Sequence, residues 1–134
     1  MKKIRILIGT MGMDQHEVGA ITVSRMLMEA GMEVVYTGRF NTPKKMVTAG
    51  IEEGVDVIGV SCHSWEYLYF IPELLESINR HDAGIPVIVG GSVITPKDEA
   101  ELKKMGVAAV FGSGSVKDEV VASIQKLVEN KTRA

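Results

Sequence analysis

The sequence predicts a doubly wound α/β domain built on a five-stranded parallel sheet, and three observations carry that expectation. Five short runs rich in Val and Ile alternate with five helical patterns. Two of the runs, residues 55–60 and 86–89, are nearly continuous apolar stretches, as expected of strands buried on both faces of a parallel sheet. The helical stretches begin and end on capping residues, and the connections between elements are short.

Residues 4–8 form the first expected strand. A helix over 18–30 follows, with Val18, Ile21, Ser24, Met26 and Met28 on recurring helical spacings and Gly31 as its C-terminal cap. Residues 33–36 are the second strand. Thr42 and Pro43 then open the second helix as N-cap and first-turn proline, and Gly54 follows its end. The third strand, 55–60, leads to a third helix from about 66 to 81, after which Gly84-Ile85-Pro86 turns the chain into the fourth strand, 86–89. Thr95-Pro96-Lys97-Asp98 repeats the cap-then-proline opening for a fourth helix that closes at Gly106. A weaker apolar run, 108–111, precedes a fifth helix over about 116–129, with Val120, Val121, Ile124, Leu127 and Val128 on one face. Such alternation implies parallel strands joined by right-handed crossovers. Five strands favour the flavodoxin-like order 2-1-3-4-5, whose switch point lies between strands 1 and 3, and ligands of such sheets bind at the carboxyl ends of the strands beside that point.

Composition narrows the function. A chain of 134 residues is expected to fold as one domain over 1–134, and 46% apolar with 24% charged residues argues against disorder. A net charge of −2 leaves no basic field for nucleic acid or anionic lipid. The single cysteine, Cys62, excludes an internal disulfide framework and suits a reducing cytoplasm. No apolar run approaches a membrane span, and the stretch after Met1-Lys2-Lys3 is too short for a signal-peptide core and is broken by Arg5. The expected location is the cytoplasm.

The segments that follow strands 1, 3, 4 and 5 are therefore the ones to read for chemistry. Three of them are glycine-rich: the stretch from Gly9 to Gly19, Gly90-Gly91-Ser92, and Gly112-Ser113-Gly114-Ser115. Two readings of these glycines stand at this point. They make strand-to-helix turns, or they open the edge to a ligand that approaches the backbone closely. Asp14 and His16 favour the second. A neutral imidazole is the commonest protein ligand for a transition metal, and a metal-bound His usually donates its other ring N–H to a carboxylate. No further cluster of His, Cys and carboxylates supplies the remaining ligands of a closed zinc site, so the metal would have to bring its own coordination shell, as a tetrapyrrole-type macrocycle does.

Asp14-x-His16-x-x-Gly19, Ser61 with His63 in the slot usually held by leucine, and Gly90-Gly91 resemble the DxHxxG, SxL and GG motifs of the cobalamin-binding domain family. The resemblance is nearest to the small subunit or C-terminal domain of methylmalonyl-CoA mutase and related acyl-CoA mutases. It extends through Tyr36-Thr37-Gly38, Thr42-Pro43, Pro72-Glu73-Leu74, Met105-Gly106-Val107 and Phe111-Gly112. It implies adenosylcobalamin as cofactor, with His16 replacing the cofactor's own base on cobalt and Asp14 bonded to that imidazole. The detached nucleotide tail would enter the sheet edge between strands 1 and 3. Ser61 would hydrogen-bond the base, Gly90 and Gly91 would leave it room, and Gly19 would let the first helix pack close. His63 would line the tail pocket or face solvent, and Gly112 and Gly114 complete the candidate set at the edge. His63, Trp65 and Tyr67 depart from the family pattern.

The resemblance further implies a separate, barrel-shaped (TIM-barrel) catalytic large subunit. No residue of this chain is suited to bind coenzyme A or to act on substrate, so the chain alone would be inactive; self-association is left open. The alternative in a different functional class is a non-catalytic B12-binding module, such as a corrinoid carrier, a sensor or a methyl-transfer component. A response-regulator receiver shares the strand order but would need an Asp ending strand 3 and a Lys ending strand 5; Ser61 and Gly112-Ser113-Gly114 stand there, and Asp56 is at the wrong end of its strand. Flavodoxin and dinucleotide-binding loops after strand 1 are equally absent.

Overall fold

In the computed structural model the described residues are 3–10, 17–38, 41–62, 67–91, 94–112 and 115–133. Strands and helices alternate along the chain: β1 (Arg5–Gly9), α1 (Glu17–Glu29), β2 (Glu33–Tyr36), α2 (Pro43–Glu53), β3 (Val57–Ser61), α3 (Tyr67–Arg80), β4 (Val87–Gly90), α4 (Pro96–Met105), β5 (Ala109–Phe111) and α5 (Lys117–Arg133). The five strands form one sheet in the order β2-β1-β3-β4-β5, every pair parallel. This is the flavodoxin-like order expected from the strand count.

Sheet residues alternate between two helical layers, because successive side chains of a strand point to opposite faces. Leu7, Ile58, Val60, Val87 and Val89 pack with Met46 and Val47 of α2, Ile71, Leu74 and Ile78 of α3, and Leu102 of α4. On the other face, Ile6, Ile8, Val57 and Ile88 pack with Ala20 and Leu27 of α1 and with Val120 and Ile124 of α5.

Helix ends follow the local signals. The Thr42 hydroxyl accepts from Lys45 N at 3.1 Å and the Thr95 hydroxyl from Asp98 N at 3.1 Å, with Pro43 and Pro96 in the first turns behind them. Gly54 closes α2 at φ 61°, in the left-handed region, where its N–H reaches the Gly50 and Ile51 carbonyls.

Two expectations need correction. Of the residues named for their helical spacing in α1, Ser24 is buried but Ile21 and Met28 are 42% and 53% exposed, and Ala20, Val23 and Leu27 join Ser24 on the inward face. Apolar residues surround much of this helix, so spacing alone does not choose its face. The central strands also lie further along the chain than their apolar runs. Gly9, Ser61 and Gly90 are in the ladder, with Gly9 opposite Val60 and Ser61 opposite Gly90, whereas Val55 and Asp56 precede β3. Asp56 instead ties the amino edge: its N–H donates to Arg5 O at 2.7 Å and its Oδ2 accepts from Arg5 N at 2.8 Å.

Candidate cofactor site

The strand register builds the site. Ile8, Gly59 and Ile88 stand side by side across β1, β3 and β4, and one step nearer the carboxyl edge Ser61, Gly90 and Phe111 do the same across β3, β4 and β5. Both rows face the α1/α5 layer. In each, a glycine interrupts the larger side chains. Above them α1 presents Gly19, Thr22 and Met26, a stripe at spacings of three and four, and α5 with its approach contributes Ser115 and Val120.

Together these residues enclose a cleft of about 290 Å³ that opens at the carboxyl edge. Small-molecule sites are usually about 300–1,000 Å³, so this one suits a single flat ring system better than a whole macrocycle. Its walls are mainly apolar, with polar groups from Thr22, Ser61 and Ser115. Gly19, Ser61, Gly90, Gly91 and Gly112, expected as cofactor-binding residues, all line it. Asp14, His16, His63 and Gly114 lie outside the described residues.

The glycines are not equivalent. A Cβ at Gly91 would overlap the Cys62 carbonyl oxygen, so main-chain packing requires glycine there whether or not a ligand binds. At Gly90 the nearest obstacles are Phe111 O at 3.4 Å and Phe111 Cβ at 3.7 Å, and at Gly112 only Ile94 O at 3.7 Å comes near. Gly90 and Gly112 therefore form a cradle that side chains would partly fill.

A second cluster anchors the chain just before the DxHxxG segment. Thr10 N donates to Gly38 O at 3.1 Å, and Asn41 N donates to Thr10 O at 3.1 Å. The Asn41 side-chain amide then donates to Thr10 O at 2.8 Å and to Gly38 O at 2.9 Å. Gly9 is required beside it, since a Cβ there would collide with Thr37 Oγ1.

Sequence reasoning missed several lining residues, Gly59 first among them. A signal was present: a glycine inside an apolar strand marks a bulge or a close approach. Met26 was named only for its helical spacing, and Thr22, a polar residue on a largely apolar helix, carried no signal of its own. The cleft also reaches further than expected, lying over β1, β3, β4 and β5 beneath α1 and α5.

Residues 4–122 match the model of the B12 binding domain. The chain belongs to the B12-binding domain family. This B12-binding domain is 35% identical over 125 residues to the 2-hydroxyisobutanoyl-CoA mutase small subunit of Aquincola tertiaricarbonis, covering 93% of this chain and 92% of that one. It is 33% identical over 133 residues to the pivalyl-CoA mutase small subunit of Xanthobacter autotrophicus, covering 99% and 88% respectively. In methylmalonyl-CoA mutase of Escherichia coli, 32% identical over 127 residues, the matching region is 18% of a longer chain.

Solved structures establish the fold alone. A cobalamin-binding protein from Desulfitobacterium hafniense superimposes with a TM-score of 0.80 at 20% identity, over 94% of this chain and 60% of that one. The receiver domain of a putative response regulator from Mycobacterium tuberculosis does so with a TM-score of 0.73 at 16% identity, over 96% and 98%. What separates this B12-binding domain from a receiver is its strand ends: β3 finishes on Ser61, and Asp56 is engaged with Arg5 at the opposite edge. No described helix is long and apolar enough to cross a membrane.

Proposed function

We propose that this chain is the cobalamin-binding subunit of an adenosylcobalamin-dependent acyl-CoA mutase, a carbon-skeleton isomerase whose catalytic large subunit is a separate, TIM-barrel chain. The carrying observation is the cleft at the carboxyl edge, whose glycine-interrupted rows leave room for a flat apolar ring where the sheet would otherwise be filled. Support for the mutase role comes from the two relatives named as mutase small subunits, which align over nearly their whole lengths.

In this reading residues 1–134 act as one domain in the cytoplasm. His16 would hold cobalt through one imidazole nitrogen, and Asp14 would accept its second ring N–H, which would set the tautomer and raise the basicity of the ligating nitrogen. The cleft would receive the base of the cofactor's nucleotide tail. Ser61 hydrogen-bonds it at the mouth, Gly90 and Gly112 leave it space, and Gly19 brings α1 close over it. Gly91 packs against the Cys62 main chain, and His63 and Gly114 complete the proposed set of cofactor-binding residues. The bound cofactor supplies a weak cobalt–carbon bond as the source of radical chemistry, and the protein supplies binding and orientation. Substrate contacts belong to the large subunit, so the chain alone is inactive.

Titration of the purified chain with cobalamin, followed by visible spectroscopy, tests the reading. The expected product is the base-off, imidazole-ligated form, and His16→Ala is expected to lose the imidazole ligation while still folding. A mutant spectrum identical to wild type would overturn the assignment of His16. Mixing the loaded chain with a mutase large subunit and acyl-CoA tests the catalytic half: cobalamin binding without turnover in that mixture would favour the carrier reading.

A further inference from the structure

The structure assigns to Gly59 a role beyond those above: we propose that it determines the size of the lower base this site accepts, with Ile8 as the stop against which that size is measured. The inference rests on the cobalamin reading and asks what a strand-interior glycine is for.

Gly59 is buried in the middle of β3, between Ile8 on one neighbour and Ile88 on the other. Glycine is a poor strand residue, because it packs nothing and orders at a high entropic cost. Its neighbours within the strand, Val57, Ile58 and Val60, are β-branched. Three structural reasons for glycine fail here. Its backbone is not among those with positive φ. The strand pairs through it without a break in register. The nearest main-chain atom to a Cβ built on it is Leu7 O at 3.6 Å, an ordinary contact. Gly91, by contrast, is demanded by the Cys62 main chain.

Only side-chain atoms come closer: the tip of Ile8, Cδ1, at 2.6 Å and Ile88 Cγ1 at 3.4 Å from a Cβ at this position. A methyl at residue 59 would therefore displace the end of Ile8, and both groups lie on the cleft wall. Either the new side chain or the displaced isoleucine would occupy the floor. The glycine keeps that floor low, which matters to a ligand only if part of it seats there. The nucleotide base is that part; the corrin ring is too large for the cleft.

The test compares two corrinoids: cobalamin, which carries the nucleotide tail, and cobinamide, which lacks it. Wild type is expected to bind both. Gly59→Val is expected to bind cobinamide as wild type does and to bind cobalamin about tenfold or more weakly. Equal cobalamin binding by Gly59→Val and wild type would overturn the inference and leave the cobalamin reading intact. Failure of wild type itself to bind cobalamin would overturn both. If Gly59→Val loses both corrinoids, the pair Gly59→Ala and Ile8→Val/Gly59→Ala decides, because valine lacks the Cδ1 that the new methyl meets. Recovery of cobalamin binding in the double variant over Gly59→Ala supports the pairing, and no recovery overturns it.

Discussion

The side chain of Asn41 holds the carbonyl of Thr10 at 2.8 Å, and both residues are completely buried. Through this bond the β2–α2 connection grips the end of β1, one residue before the segment that carries Asp14 and His16. Each carbonyl held by the amide also keeps a main-chain donor, so the side chain adds to a connection that already exists. Asn41→Ala is expected to destabilise the fold by about 1–3 kcal/mol, the usual cost of losing buried hydrogen bonds. Asn41→Asp is expected to cost more, since a carboxylate would face two carbonyl oxygens with nothing to donate. Urea denaturation of the three proteins checks the order.

The glycines of the carboxyl edge are expected to separate by substitution. Gly91→Ala meets the Cys62 main chain, which has little freedom to retreat, and is expected to cost about 1–3 kcal/mol or more of stability. Gly112→Ala has only Ile94 O near it, at 3.7 Å, and its effect is expected to stay within about 0.5 kcal/mol. Thermal denaturation of both variants distinguishes a glycine needed by the fold from one that is not.

Thr95→Ala removes the hydroxyl that accepts from Asp98 N at the start of α4 and is expected to cost about 1 kcal/mol. The cap is exposed and Thr95 does not line the cleft, so cobalamin binding is expected to be unchanged. A titration showing weaker binding would mean that α4 supports the site, which the geometry does not suggest.

Ser61→Leu places a branched side chain at the mouth of the cleft, on the row shared with Gly90 and Phe111. Because Ser61 is only half-buried, the fold is expected to survive. Cobalamin binding is expected to weaken by about tenfold or more, while cobinamide binding persists.

Particular residues show how far the one-dimensional pattern could be read. Thr42 and Thr95 were legible because capping is a contact between neighbours three residues apart. Ser61 and Gly90 were legible as edge residues, though not as ladder members: an apolar run reports side chains, whereas pairing is made by the backbone, which serine and glycine share with valine. The face of α1 was not legible, since Ile21 and Met28 are as apolar as the residues that are buried. Asn41 carried no signal in the chain, because its partners Thr10 and Gly38 come together only when β1 and β2 pair.

The order of residues alone determined the alternation of elements, the five-stranded parallel architecture, the helix starts and the motif-bearing segments at the carboxyl edge. These rest on short-range interactions and on periodicity, both of which are written along the chain. Tertiary structure alone decided what each glycine does. Gly59 and Gly91 are the same letter, yet a Cβ on one would press against the side chains of two isoleucines and a Cβ on the other would overlap a carbonyl of a distant strand end. That distinction depends on which atoms stand opposite across the sheet, and register is set by the packing of the whole domain.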